Sequence, residues 1–166
     1  MCGVKPVVNR RVIDPPLVIQ VIVDEPDFYC ENEEWRFLCH LSLVLEDGSD
    51  ANFFRHHDGH VLSNMLGDTV ANAMALKDPL DHRVNLFSVF SNISIRIGGT
   101  YRLCCQMIDY KTGEIKRTYT TPFQIYNNQS FPGTDDASEL TLSFISQGVR
   151  IRQKPTFSKK NSKKEP

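Results

Sequence analysis

The chain has 166 residues, 40% of them hydrophobic and 23% charged, with a formal net charge of −1. That length fits one domain with short tails, the composition is that of an ordinary globular protein, and no apolar run approaches the roughly 20 residues of a membrane-spanning helix. Met1 to Arg11 holds no apolar stretch of the signal-peptide kind, so the expected setting is intracellular.

Residues 1–16 read as a basic N-terminal arm: Lys5, Arg10 and Arg11 precede the first acid, Asp14, and Pro15-Pro16 closes the segment. Leu17 to Val23, LVIQVIV, reads as a buried strand, β-branched and interrupted only by Gln20. Trp35 to Leu45 alternates. Trp35, Phe37, Cys39, Leu41, Leu43 and Leu45 are expected on one face, and Arg36, His40, Ser42 and Glu46 on the other. Residues 47–60 are polar and read as a loop that starts at the turn Asp47-Gly48. Val61 to Leu66 suits a short strand. Thr69 to Leu76 suits a helix by propensity but is short, and the choice stays open.

Asp78-Pro79-Leu80-Asp81 is a turn, and Asn85 to Arg96 is strand-like, with Phe87, Val89, Ile93 and Ile95 apolar. After Gly98-Gly99, Thr100 to Ile108 forms another strand. Lys111-Thr112-Gly113 turns the chain, and Arg117 to Tyr126 is the last clear strand. Short strands punctuated by turns predict an all-β sandwich. One helix is expected over 137–147: Asp136 and Glu139 suit a capping box, Leu140, Phe144 and Gln147 share a face, and Gly148 suits the position after the last turn. The sandwich domain is expected to span 17–154, followed by a lysine-rich tail, 155–166, whose composition predicts disorder.

Five cysteines, Cys2, Cys30, Cys39, Cys104 and Cys105, are odd in number and unpatterned, so reduced thiols are expected rather than disulfides. His56, His57 and His60, with Asp58, make the one metal-like cluster. With no cysteine pair nearby it reads better as a polar loop than as a zinc site. No GxSxG, phosphate-binding loop, GxGxxG or HExxH motif occurs, so no enzyme activity, cofactor or small-molecule substrate is expected. Charge is uneven. Residues 1–12 and 149–164 carry bases and no acid, whereas 24–50 carry nine acids against Arg36 alone. Such ends suit a polyanion partner or are plain solvated tails.

Several segments in order resemble the velvet domain of fungal developmental regulators: Cys2-Gly3 through Lys5, Arg10-Arg11 and Ile13-Asp14-Pro15-Pro16; Leu66-Gly67 with Leu76-Lys77-Asp78; Phe87, Phe90, Ile93-Ser94-Ile95-Arg96 and Gly99-Thr100-Tyr101-Arg102-Leu103; and Phe131-Pro132-Gly133 with Phe144 and Gln147-Gly148-Val149-Arg150-Ile151-Arg152. Asn52 to Leu62, which holds the histidines, matches none of its motifs. The resemblance implies an immunoglobulin-like sandwich similar to the Rel-type DNA-binding domain. It also implies nuclear action on double-stranded DNA, pairing with another velvet protein as a homo- or heterodimer, and roles in sporulation and secondary metabolism.

On that footing Arg10 and Arg11 are expected to clamp phosphate and reach a base edge, with Lys5 beside them. Lys111, Lys116 and Arg117 flank a hairpin tip, and Arg150, Arg152 and Lys154 follow the helix; both sets are candidates for DNA contact. Arg96 and Arg102 lie inside strands and are expected to pair with acids across the sheet. The apolar Leu86-Phe87 and Phe90 region is expected to be partly exposed and to serve dimerisation. The competing reading is an adaptor of the same fold that binds protein partners and no DNA.

Overall fold

The computed structural model describes residues 12–25, 28, 30–126, 131–133 and 136–151. Lys5, Arg10, Arg11, Arg152, Lys154 and the lysine tail lie outside them. The elements are β1 (Leu17–Val21), α1 (Cys30–Glu33), a 3₁₀ turn (Glu34–Arg36), β2 (Phe37–Val44), β3 (Phe53–Arg55), β4 (Val61–Ser63), β5 (Met65–Leu66) and β6 (Val70–Asn72). There follow β7 (Met74–Lys77), β8 (Val84–Phe90), β9 (Ser94–Ile95), β10 (Gly99–Asp109), β11 (Ile115–Tyr119), β12 (Phe123–Ile125) and α2 (Glu139–Ser146). All the pairings are antiparallel, and the fold is the expected all-β sandwich.

One sheet has the order β1-β8-β7 and the other β11-β10-β2-β6, with β12 also on β10. Between β11 and β12 the register moves by one residue: Cys104 faces Tyr119 but Tyr101 faces Phe123. This is a bulge at Thr120–Pro122, the tolerated place for a proline in a strand. Cys39, Leu41, Leu43, Leu103 and Cys105 point between the sheets and meet Phe90 and Ile93. The thiols of Cys39, Cys104 and Cys105 are free and buried. Burial pushes Cys39 up to about 12 and Cys105 up to about 11, so both stay protonated and unreactive.

The three-stranded sheet is covered on both faces. Its outer face carries Val18, Met74, Leu76, Phe87 and Val89, packed against Leu140 and Phe144 of α2. That explains why β1 is apolar on both faces apart from Gln20, which alternation alone would not require. It also corrects the dimer patch: Leu86, Phe87 and Phe90 are at most 3% exposed and belong to the core.

The helix is one turn shorter than expected, and its N-cap is Ser138, not Asp136. The Ser138 hydroxyl accepts from the Thr141 amide at 3.2 Å. At the other end Gly148, with φ +92°, donates to the Ile145 carbonyl, and Val149 donates to Phe144 at 3.0 Å, the paired bonds of a Schellman stop. Thr69–Leu76 is not helical. Val70–Asn72 pairs with β2 and Met74–Lys77 with β8, so sheet pairing overrides propensity. Residues 47–60 include a strand, β3, and Val61–Leu66 is split into β4 and β5.

Arg36 is the largest departure. Because the 3₁₀ turn precedes β2, the pleat begins at Phe37; Trp35 is 63% exposed and Arg36 only 2%. Arg36 donates to Asp109 through Nε (2.7 Å) and Nη2 (2.6 Å), to both Glu25 oxygens, and to Glu33 at 3.1 Å. Its guanidinium lies 4.9 Å from the Phe37 ring centre. The guanidinium hydrogen bonds hold the Asp109 carboxyl well below the usual carboxylate range.

Candidate nucleic-acid interface

The sandwich has two chemically different ends. β1 runs from Leu17, opposite Phe90, to Val21, opposite Leu86. Just before β1, the Ile13 amide donates to the Ile93 carbonyl at 2.7 Å. On the C-terminal side, the Ser91 hydroxyl donates to the Arg150 carbonyl at 2.8 Å. The two acid-free ends of the chain are therefore rooted on either side of the short segment 91–93. Arg150 is exposed, while Ile151 packs into the cluster under α2.

Arg96 belongs to the same end, as a surface group that its strand-like surroundings had hidden. It is exposed, and its amide donates to the Asn64 carbonyl at 2.9 Å. Among the described residues neither Arg96 nor Arg102 has an ion pair, so the expected cross-strand acids are not there. Asn64 is buried and organises this end: its side-chain amide donates to the Ala51 carbonyl and its side-chain oxygen accepts from the Ile97 amide.

The base of the β3–β4 hairpin attaches here, where the Asn64 backbone amide donates to the Asn52 carbonyl. At the hairpin tip the His56 and His57 rings are 3.9 Å apart, and His56 Nδ1 is 3.0 Å from Asp58. Among the described residues no group of three or more His, Cys, Asp or Glu side chains converges to hold a metal, and no helix is long and apolar enough to cross a membrane. Of the acids at this end, Asp47 accepts from the Ser49 amide and hydroxyl, Asp50 from Asn52, and Asp68 from Asn92.

The opposite end holds the β10–β11 turn. There Lys111 Nζ lies 3.5 Å from Glu25 and 3.6 Å from Glu33, and Lys116 lies 3.7 Å from Glu114. Their charges are matched by acids already present. Arg117 is exposed, opposite Gln106 on β10. The eleven residues of β10 separate the two ends by roughly 33 Å at about 3.3 Å per residue. That is several times the Debye length of about 8 Å in physiological salt. The structure does not bring Lys111, Lys116 and Arg117 together with Arg150.

Comparison with known proteins decides the family. The velvet factor family model matches residues 51–156. The chain belongs to the velvet family. A velvet complex protein of Chaetomium globosum is 30% identical over 154 residues, covering 87% of this chain and 34% of that protein. Spore development regulator VOSA of Pyricularia oryzae is 30% identical over 151 residues, covering 87% and 28%. Sexual development regulator VELC of the same fungus is 26% identical over 157 residues, covering 86% and 35%. The chain thus spans about a third of the length of these velvet relatives. The family match includes Asn52 to Leu62, so the histidine hairpin lies within the velvet region even though it resembled no motif.

Proposed function

We propose that this velvet domain binds duplex DNA at the end where both chain termini root, and that it acts as a regulator of fungal development paired with a second velvet protein. The observation that carries the reading is the joint anchoring of Ile13 and Arg150 on residues 91–93. The anchoring puts the roots of the arm that holds Lys5, Arg10 and Arg11, and of the segment that holds Arg150, Arg152 and Lys154, at the end where Arg96 is exposed, and in this reading all of them work on one stretch of DNA. The adjacent arm arginines divide the labour: one neutralises phosphate and the other reaches a base edge. The names of the relatives, which speak of spore and sexual development and of a velvet complex, support the regulatory role and the pairing. A nuclear site of action goes with this reading.

The test is binding of the purified chain to promoter-length duplexes across a salt series, with and without residues 155–166. Site-specific binding that survives the truncation, with a slope set by several phosphate contacts, is the expected result. Binding that vanishes with the tail, or never distinguishes promoter from scrambled duplex, rejects DNA reading by the domain and leaves the adaptor reading in its place.

A further inference from the structure

The two sheets differ on their outer faces. α2 covers the three-stranded sheet, whereas on the five-stranded one the outward side chains of Val70, Ile115 and Tyr119 are 46–53% exposed. On β2 and β10 the inward side chains are those of the core, Cys39, Leu41, Leu43, Leu103 and Cys105, so the pleat turns their neighbours outwards. The outward positions on β2, β6, β10, β11 and β12 include no aspartate, glutamate or lysine. In a chain with net charge −1 this is a selective composition.

The fixed charges on that face are two arginines. Arg102 stands opposite Val44 and is half-buried, with its Nε lacking a hydrogen-bond partner. Arg117 sits in a row with Gln106 and His40, next to the apolar row Ile115, Ile108 and Leu38. Ile115, Tyr119, Val70 and Phe53 are between 46 and 63% exposed. A cavity of about 270 Å³, lined by His40, Ser42, Phe53 and Thr69, continues the face under the β3–β4 hairpin.

We infer that the outer face of the five-stranded sheet is a docking surface for an acidic, apolar-bearing segment of a partner protein. Arg102 and Arg117 receive its carboxylates, and Ile115, Tyr119 and Val70 receive its apolar side chains. Arginine and tyrosine amid apolar groups, without lysine or acids, is the composition of a protein interface core. Two arginines among apolar neighbours are too sparse for duplex DNA, which carries a charge about every 1.7 Å. Self-pairing of this face about a two-fold axis would set arginines against the same acid-free surface, so a second copy of it is a poor occupant. The inference is independent of DNA binding at the chain's ends.

The experiment uses the full chain and two fluorescein-labelled amphipathic peptides, one built from leucine and glutamate and its counterpart with lysine for glutamate, followed by fluorescence anisotropy. The acidic peptide is expected to bind and the lysine peptide not. Arg117→Glu and Tyr119→Ser, both on an exposed edge strand, are each expected to weaken binding about fivefold or more, with unchanged circular dichroism and melting. Equal binding of both peptides, no binding of either, or affinity unchanged in both variants overturns the inference. So does displacement of the peptide by duplex DNA, which would make the face a nucleic-acid site. Loss of self-association on Arg117→Glu in sedimentation would assign the face to a second copy and overturn it as well.

Discussion

The two ends of the sandwich solve opposite problems with similar residues. At the β10–β11 end a buried arginine is surrounded by Asp109, Glu25 and Glu33, and Lys111 closes the ring of charges. At the chain-termini end Arg96 and Arg150 stay exposed, and neither forms an ion pair among the described residues. A cation with acids within a few ångströms presents less net positive charge to a phosphate than a cation without them. A lysine's value as a ligand contact therefore depends on its neighbours across the fold, not on the count of bases in its segment.

The largest expected effect is at the matched end. Arg36→Met leaves the Asp109 carboxylate buried without its partner and should cost about 3–5 kcal/mol, read as a fall in the urea midpoint. The same pair predicts the acid limb of stability. Asp109 has a folded-state pKa below its unfolded value, through its hydrogen bonds with Arg36. Its stabilisation is complete above the ordinary aspartate value of about 3.9 and is lost as the pH falls through the folded value. Asp109→Asn should therefore be less stable than wild type at neutral pH and flatter below pH of about 4, as read by urea titrations at each pH.

Smaller effects sharpen the other end. Ser138→Ala removes the cap of the helix that leads to Arg150 and should cost about 1 kcal/mol in thermal or denaturant unfolding. Ser91→Ala frees the Arg150 carbonyl and should cost about 0.5–1.5 kcal/mol. It should also weaken DNA binding by loosening the root of the C-terminal segment, which anisotropy on labelled duplex would detect.

The sandwich was legible because Phe37 to Leu43 alternate cleanly and turns separate the strands, and the helix stop was legible at Gly148. Arg36 was not, because a 3₁₀ turn takes it out of the strand alternation and its partner Asp109 lies far along the chain. The second buried face of β8 was not, because nothing local says that α2 lies over Phe87 and Val89. Within the candidate site, the acid-free ends stood out by composition, but their meeting at residues 91–93 is a property of the strand order. The strand-like surroundings of Arg96 predict a strand residue paired with acids across the sheet, whereas it follows a two-residue strand, β9, and faces solvent.

The most direct test compares the two ends in one experiment: salt titrations of duplex binding by wild type, Arg10→Ala/Arg11→Ala and Lys111→Ala/Lys116→Ala, on a promoter site and on its scrambled version. The arm variant should lose about one unit of salt slope per arginine and, where an arginine reads a base, about 1–3 kcal/mol of discrimination. The hairpin variant should keep the wild-type slope and preference. A hairpin variant that loses the slope while the arm variant keeps both slope and preference would contradict the account.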